Sequence, residues 1–194
     1  MFNVPILLTW GRVAVIPVLV ALYYLPGDRE WTHTRDIIAT ALFIGASITD
    51  WVDGWLARKT GQTSSFGAFL DPVADKLLVC SALLLLIELE RVNAFIGLII
   101  IGREITISAL REWLAGAGKR SSVAVNQLGK LKTIAQMVAI PMLLFKERLL
   151  GINMQWLGGI LIVVAAVLTV WSMVYYLWLA RSHFRAAMQP DKPL

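Results

Sequence analysis

Four aspartates, Asp50, Asp53, Asp71 and Asp75, stand at or near the ends of two apolar stretches and are the side chains best suited to chemistry. Asp50 and Asp53 are three apart and share one helical face; Asp71 and Asp75 are four apart and share another. A bare carboxylate at membrane depth is costly, and carboxylates gathered together also repel. Either they hold protons or a strong positive charge sits among them. All are oxygen donors, which suits hard divalent cations, Mg2+ or Mn2+. The alternative is that they cap helices and pair with Arg58, Lys59 and Lys76 at the interface. Four acids on two neighbouring apolar helices weigh against it.

The elements that must hold these acids are long and apolar. Of 194 residues, 58% are hydrophobic and only 16% charged, against roughly 25% charged in an average soluble domain. A membrane-spanning helix takes about 20 apolar residues, and six such stretches can be read, at 6–25, 36–56, 67–88, 93–114, 131–150 and 156–180. Turn residues separate them: Pro26-Gly27-Asp28, Gly61 to Ser65, Gly116 to Ser122 and Gly151-Ile152-Asn153. Tryptophans and tyrosines gather near their ends (Trp10, Tyr23, Tyr24, Trp31, Trp55, Trp113, Trp156 and Trp178), as in an interfacial aromatic belt. The runs are too long and too unalternated for a membrane β-barrel. The expected fold is an all-α, six-transmembrane-helix bundle with a short amino-terminal interfacial segment. Residues 1–185 form its single domain and 186–194 a short polar tail.

This composition excludes a water-soluble enzyme domain, a disordered tail and a disulfide scaffold. Cys80 is the single cysteine, too few for an intrachain disulfide or a cysteine zinc site. Residues 1–11 carry no charged side chain and no small-residue cleavage site follows, so no secretory signal peptide is expected. The formal net charge is +5. With the amino terminus cytoplasmic, eleven Lys and Arg residues fall on that side and five on the other, which favours both termini inside. The basic excess then faces anionic headgroups, and nucleic acid is not needed to explain it. Gly116 to Arg120 is not a phosphate-binding loop, because Trp113 and Arg120 replace its glycine and hydroxyl residue and no strand precedes it. His33 and His183 fall outside the spans and are read as solvated.

From Asp50 the spacing reads D-x2-D-G-x2-A-R-x8-G-x3-D-x3-D, through Asp53, Gly54, Ala57, Arg58, Gly67, Asp71 and Asp75. This resembles the signature of the CDP-alcohol phosphotransferase family, with all eight positions filled. Phosphoryl transfer from an anhydride to an alcohol needs diphosphate charge neutralised, which metals held by shared carboxylates do. Glycines at 54 and 67 let a nucleotide approach the helix backbones, and Ala57 keeps the pocket wide. Arg58 can fork onto a phosphate or onto a ligand carboxylate. The resemblance implies a two-cation site on Asp50, Asp53, Asp71 and Asp75, with Asp75 also the general base. It implies a CDP-lipid site on Gly54, Ala57, Arg58, Ser64 and Gly67.

The fourth span narrows the acceptor. Arg103, Glu104 and Arg111 interrupt an apolar run, with Arg103 too deep to reach the interface cheaply. One reading is an internal ion-pair lattice, with Glu104 or Glu112 neutralising the arginines. The other is an anion pocket, Arg103 and Arg111 completed by Lys130 and Lys132, for the phosphate of a phosphorylated acceptor. The run Gly102 to Glu112, Gly129 to Thr133, and an opening with Asn3, Pro5, Leu8, Thr9, Arg12 and Pro17 resemble the family's glycerol 3-phosphate branch. Ile6 departs from it, where many members carry asparagine. The resemblance therefore implies transfer of a phosphatidyl group from CDP-diacylglycerol to sn-glycerol 3-phosphate, releasing CMP, in phospholipid biosynthesis. It further implies a homodimer in a bacterial inner membrane, with the active site facing the cytoplasm. Another acceptor, such as phosphatidylglycerol, is the nearest alternative. A divalent-cation transporter, whose path intramembrane acids would also mark, is the alternative of a different class.

Overall fold

The computed structural model describes residues 4–60, 65–116 and 127–187; within these helices the side chains of Asp53, Ala57, Arg58, Arg111 and Lys130 lie outside what is described, as does all of Ser64. The described residues form six helices: α1 Val4–Tyr24, α2 Arg29–Thr60, α3 Ser65–Glu88, α4 Ala94–Gly116, α5 Gln127–Phe145 and α6 Met154–Ala187. Each apolar stretch read from the sequence lies on one of them. Helix α1 already starts at Val4, so of the expected amino-terminal interfacial segment only residues 1–3 are left, outside the described residues.

Three of the helices begin with the same device. Asp28 Oδ1 accepts from the Trp31 amide at 2.8 Å, Asn93 Oδ1 from the Phe95 amide at 2.8 Å, and Asn153 Oδ1 from the Trp156 amide at 3.0 Å. Each satisfies an amide that the first helical turn leaves without a partner. Helix α3 stops where Glu90 turns left-handed (φ 56°), with the Arg91 amide donating back to Leu86 O at 2.9 Å.

The fifth span was expected to run to residue 150, but α5 ends at Phe145. Lys146 takes a left-handed φ of 64° and closes the helix. A two-residue hairpin follows, Arg148–Leu149 pairing antiparallel with Ile152–Asn153. Leu150 (φ 52°) and Gly151 (φ 83°) form its turn, and two successive positive φ values match the right-handed twist of a tight hairpin. Charged residues Lys146, Glu147 and Arg148 place this connection at the polar edge of the bundle.

Helix α2, at 32 residues, is roughly 48 Å long for a rise of 1.5 Å per residue. That is longer than the apolar stretch at 36–56, so polar turns extend beyond it at both ends. The core is a continuous seam of Leu19, Phe43, Leu78, Leu86, Ile140 and Leu143. Helices α5 and α6 pack closely through Gly158, where a Cβ would stand 2.9 Å from Leu143 Cγ and 3.2 Å from Ala139 O.

The outer surface is as apolar as the core: Phe69, Leu98, Ile134, Val167 and Trp171 are all at least 60% exposed. Two windows, Leu7–Tyr24 and Met154–Trp178, are long and apolar enough to cross a membrane. Only 17% and 33% of them are buried in the bundle. A soluble protein's core helix would show the reverse. Trp10, Tyr24, Trp113, Trp156 and Trp178 are exposed near helix ends, as an aromatic belt requires.

Tyr23 turns inward instead. Its hydroxyl donates to Asp36 Oδ1 at 3.0 Å, and Arg91 Nη2 lies 2.5 Å from Asp36 Oδ2. Arg91 Nη1 also caps the end of α5 through the carbonyls of Leu143 (3.2 Å) and Leu144 (2.6 Å). One arginine thus ties α2, α5 and the α3–α4 turn together, at the end of the bundle away from the motif acids. Arg91→Leu is expected to destabilise the fold by less than about 3–5 kcal/mol, the cost of a fully broken buried pair, because buried Asp36 loses its nearer counter-charge and keeps Arg35, 3.5 Å away. Thermal unfolding in detergent measures this. His33, exposed on α2, contacts Glu147 at 2.5 Å at this same end.

Candidate active site

The motif acids come together because α2 ends and α3 begins at the same end of the bundle. Asp50 lies near the carboxyl end of α2; Asp71 and Asp75 lie one turn apart in the first half of α3, with Pro72 between them. Helix α1 packs against both and supplies two polar side chains on one face, Thr9 and Arg12, three residues apart.

Arg12 is 2% exposed. Its Nη1 donates to Asp75 Oδ1 at 2.6 Å and stands 3.0 Å from Asp50 Oδ1. Thr9 Oγ1 donates to Asp71 Oδ1 at 2.6 Å. Of the alternatives left by the sequence, protons or positive charge among the acids, the structure supplies a positive charge, an arginine of another helix. Because one nitrogen reaches both Asp50 and Asp75, their carboxylates are gathered to a single point. Among the described residues no three acids, histidines or cysteines converge tightly enough by themselves to hold a metal ion. Arg12 and Thr9 stand between them, and the Asp53 side chain lies outside the described residues.

The donor set nevertheless fits a hard divalent cation. The gathered groups are carboxylate and hydroxyl oxygens, and among the described residues no histidine or thiol lies against them.

Asp50 and Asp75 open onto a cavity of about 260 Å3 that is also lined by Lys76, Glu104, Thr133 and Gln136. Its wall is drawn from α2, α3, α4 and α5, and it is open on one side. Sharing Asp50, Thr133 and Met137 with it is a groove of about 400 Å3 between α2 and α5, whose remaining wall is Phe43, Ile44, Ser47 and Ile48. A chamber with charged side chains in its wall and a more apolar groove therefore meet at Asp50. A larger apolar groove, between α4 and α6, has no carboxylate, lysine or arginine in its wall.

Arg103 and Glu104 are adjacent, so they point about 100° apart around α4. Glu104 faces the cavity and takes Lys132 of α5 as an ion-pair partner. Arg103, 6% exposed, faces α6: its Nη2 donates to Ser172 Oγ at 3.3 Å and its guanidinium lies 5.9 Å from the centre of the Tyr176 ring. Arg103 Nη1 also stands 3.3 Å from Glu104 Oε1. These contacts show how an arginine and a lysine are held inside an apolar helix bundle. Among the described residues, the two bases expected to hold an acceptor phosphate are thus joined by one carboxylate, the lattice that the sequence left open. The side chains of Arg111 and Lys130, the other two bases of that pocket, lie outside the described residues.

Of the residues expected to bind a CDP-lipid, Gly67 is buried on α3, one turn before Asp71. Gly54, Ala57 and Arg58 continue α2 past Asp50, with their side-chain positions outside the described residues, and Ser64 lies wholly outside them. Sequence reasoning assigned no role to Thr9, Arg12 or Gln136 in the site. Arg12 and Thr9 carried a signal, a charged and a hydroxyl residue on one face of an otherwise apolar helix. Gln136 stood only as a polar residue four positions after Lys132.

Comparison with known proteins agrees with this geometry. CDP-diacylglycerol–glycerol-3-phosphate 3-phosphatidyltransferase of Haemophilus influenzae is 47% identical over 182 residues, 93% of this chain and 94% of that protein. Proteins with the same name from Salmonella choleraesuis and Shigella flexneri are each 50% identical, over 93% of this chain and 96% of theirs. The family model described as CDP-alcohol phosphatidyltransferase matches residues 2–171, a stretch that holds α1 to α5, every motif acid, Arg12 and Glu104. The chain therefore belongs to the CDP-alcohol phosphatidyltransferase family.

Proposed function

We propose that this chain transfers a phosphatidyl group from CDP-diacylglycerol to sn-glycerol 3-phosphate, giving phosphatidylglycerophosphate and CMP. The observation that carries the reading is the junction at Asp50. There a small chamber with Asp75, Lys76 and Glu104 in its wall meets a groove lined mainly by Phe43, Ile44, Ile48 and Met137. One reactant of this reaction is a small polyol phosphate and the other a lipid. At about 260 Å3 the chamber lies just below the range that holds drug-sized ligands, which suits the polyol. The relatives named above, alike over nearly their whole length, support the choice of acceptor.

In this reading Asp75 accepts the proton of the sn-1 hydroxyl as that oxygen attacks the lipid-attached phosphorus. A new P–O bond forms, the anhydride P–O bond breaks, and CMP leaves with its electron pair. Arg12 holds Asp75 and Asp50 in register and limits their mutual repulsion. Asp50, Asp53 and Asp71, with Asp75, would hold two divalent cations, Mg2+ or Mn2+. Such cations neutralise diphosphate charge when bound. Gly54, Ala57, Arg58, Ser64 and Gly67 would face the CDP moiety, and Arg111, Lys130 and Lys132 the acceptor's phosphate; Arg103, turned to Ser172 and Tyr176 of α6, would act on it only through Glu104.

In this reading the chain crosses the membrane six times with both termini cytoplasmic, which the distribution of lysine and arginine and the exposed apolar surface support. Its active site would then face the cytoplasm from a bacterial inner membrane. By the family resemblance two copies are expected to associate.

The test is CMP release by purified protein given CDP-diacylglycerol and, in turn, sn-glycerol 3-phosphate, phosphatidylglycerol, serine and inositol phosphate. Turnover with glycerol 3-phosphate is expected. Turnover with another acceptor alone would move the chain to a different branch. Divalent-cation flux across liposomes with no CMP release would overturn the enzyme reading altogether.

A further inference from the structure

We propose that Gln136 reads the middle hydroxyl of the acceptor and so sets which phosphorylated polyol is used; this rests on the acceptor reading given above. Gln136 is 4% exposed and lines the chamber that also holds Asp75, Lys76 and Glu104. Among the described residues no hydrogen bond engages its side-chain amide, and that amide is not among the buried polar atoms left without a partner. It is therefore open to the chamber and available to whatever fills it. The neighbouring apolar positions, Val79 and Met137, offer it no partner.

Its placement fits a hydroxyl of the substrate. Gln136 follows Lys132 by one turn on the same face of α5. Asp75 reaches the same chamber from α3. An acceptor whose reacting hydroxyl sits at Asp75 carries its next hydroxyl on the adjoining carbon, inside the same small volume. An amide both donates and accepts, as an alcohol does, so the pair is satisfied in either proton arrangement. A charged residue at this position would disturb the balance of Asp50, Asp75 and Glu104 against Lys76; a neutral amide does not.

The test compares sn-glycerol 3-phosphate with 3-hydroxypropyl phosphate, which keeps the attacking hydroxyl and the phosphate but lacks the middle hydroxyl. Wild-type protein is expected to prefer glycerol 3-phosphate by at least about tenfold in kcat/KM, since a site built to bond a hydroxyl rejects the analogue that lacks it. In Gln136→Leu and Gln136→Met, which fill the space without the amide, that preference is expected to fall to within about threefold. Equal use of both acceptors by the wild type would overturn the proposal without any variant. So would an unchanged preference in a variant that loses activity on both acceptors equally, the mark of a merely structural role. If wild type releases no CMP with either acceptor, the acceptor reading itself has failed, and the two failures are distinct.

Discussion

Asp75→Asn is expected to lower kcat for CMP release by about 10²–10⁴-fold, the range a positioned general base contributes. The substitution is nearly isosteric and keeps an oxygen able to accept from Arg12 Nη1, so the contact between α1 and α3 survives. Thermal unfolding should therefore move little, and the KM for glycerol 3-phosphate should change less than kcat. What the variant lacks is a carboxylate able to take the proton of the attacking hydroxyl. Residual activity within tenfold of wild type would remove Asp75 from that role. A collapse of thermal stability together with activity would make its task the pairing with Arg12 instead.

Arg12→Ala is the second large expectation, and it comes from the tertiary structure. Removing this buried guanidinium leaves Asp50 and Asp75 beside each other without the charge that gathers them. Only Arg12 is buried, the acids being about one-third exposed, so the stability cost falls below about 3–5 kcal/mol, that of a fully buried pair, and loss of at least about 100-fold in kcat/KM is expected as the carboxylates separate. Arg12→Lys keeps the charge but replaces a planar fork with a point charge. It should retain more activity than Arg12→Ala, about tenfold below wild type. A second readout separates charge from packing. If the gathered oxygens hold a divalent cation, millimolar Mg2+ should raise the thermal midpoint of Arg12→Ala more than that of wild type, because the cation restores positive charge at the same acids. An equal response in both proteins would argue that Arg12 and the cation act independently.

These expectations mark where the reading of the chain by itself stopped. Helix positions were legible because their signals are local. Asp28, Asn93 and Asn153 cap from within the next few residues, and long apolar runs need no partner to be recognised. The exception at α5 was also local in cause. The span was read to residue 150, across Lys146, Glu147 and Arg148, because two leucines follow them; Lys146 turns left-handed instead and a two-residue hairpin replaces the last turn. Three charged residues in a row marked that end in the sequence, but a backbone reversal after them is not a hydropathy signal. Tyr23 shows the same limit for side chains. It lies at a span end beside Tyr24, but one residue turns inward to Asp36 and the other stays exposed.

The acids themselves were legible for a related reason. Spacings of three and four put each pair on one helical face whatever the surroundings, and the D-x2-D…D-x3-D pattern is contained in a single stretch. Their partners were not contained in it. Arg12 meets Asp75 across 63 positions, Thr9 meets Asp71 across 62, and Lys132 meets Glu104 across 28. Which basic residue neutralises which acid depends on how neighbouring helices are rotated, and a sequence pattern constrains that rotation only weakly. Arg103 and Glu104 make the point most simply: a step of about 100° around α4 sends one side chain to α6 and the other to the chamber.

The sequence by itself thus determined the solvent of this protein, its six apolar helices, the four motif acids and the family they resemble. All of these are encoded within a turn or a span, where covalent connection sets the geometry. Only the tertiary structure decided that Arg12 stands among the acids, that Glu104 holds Lys132 and contacts Arg103, and that Gln136 shares a chamber with Asp75. Those facts belong to helix packing, in which residues far apart in the chain meet because each apolar face finds the one that fits it.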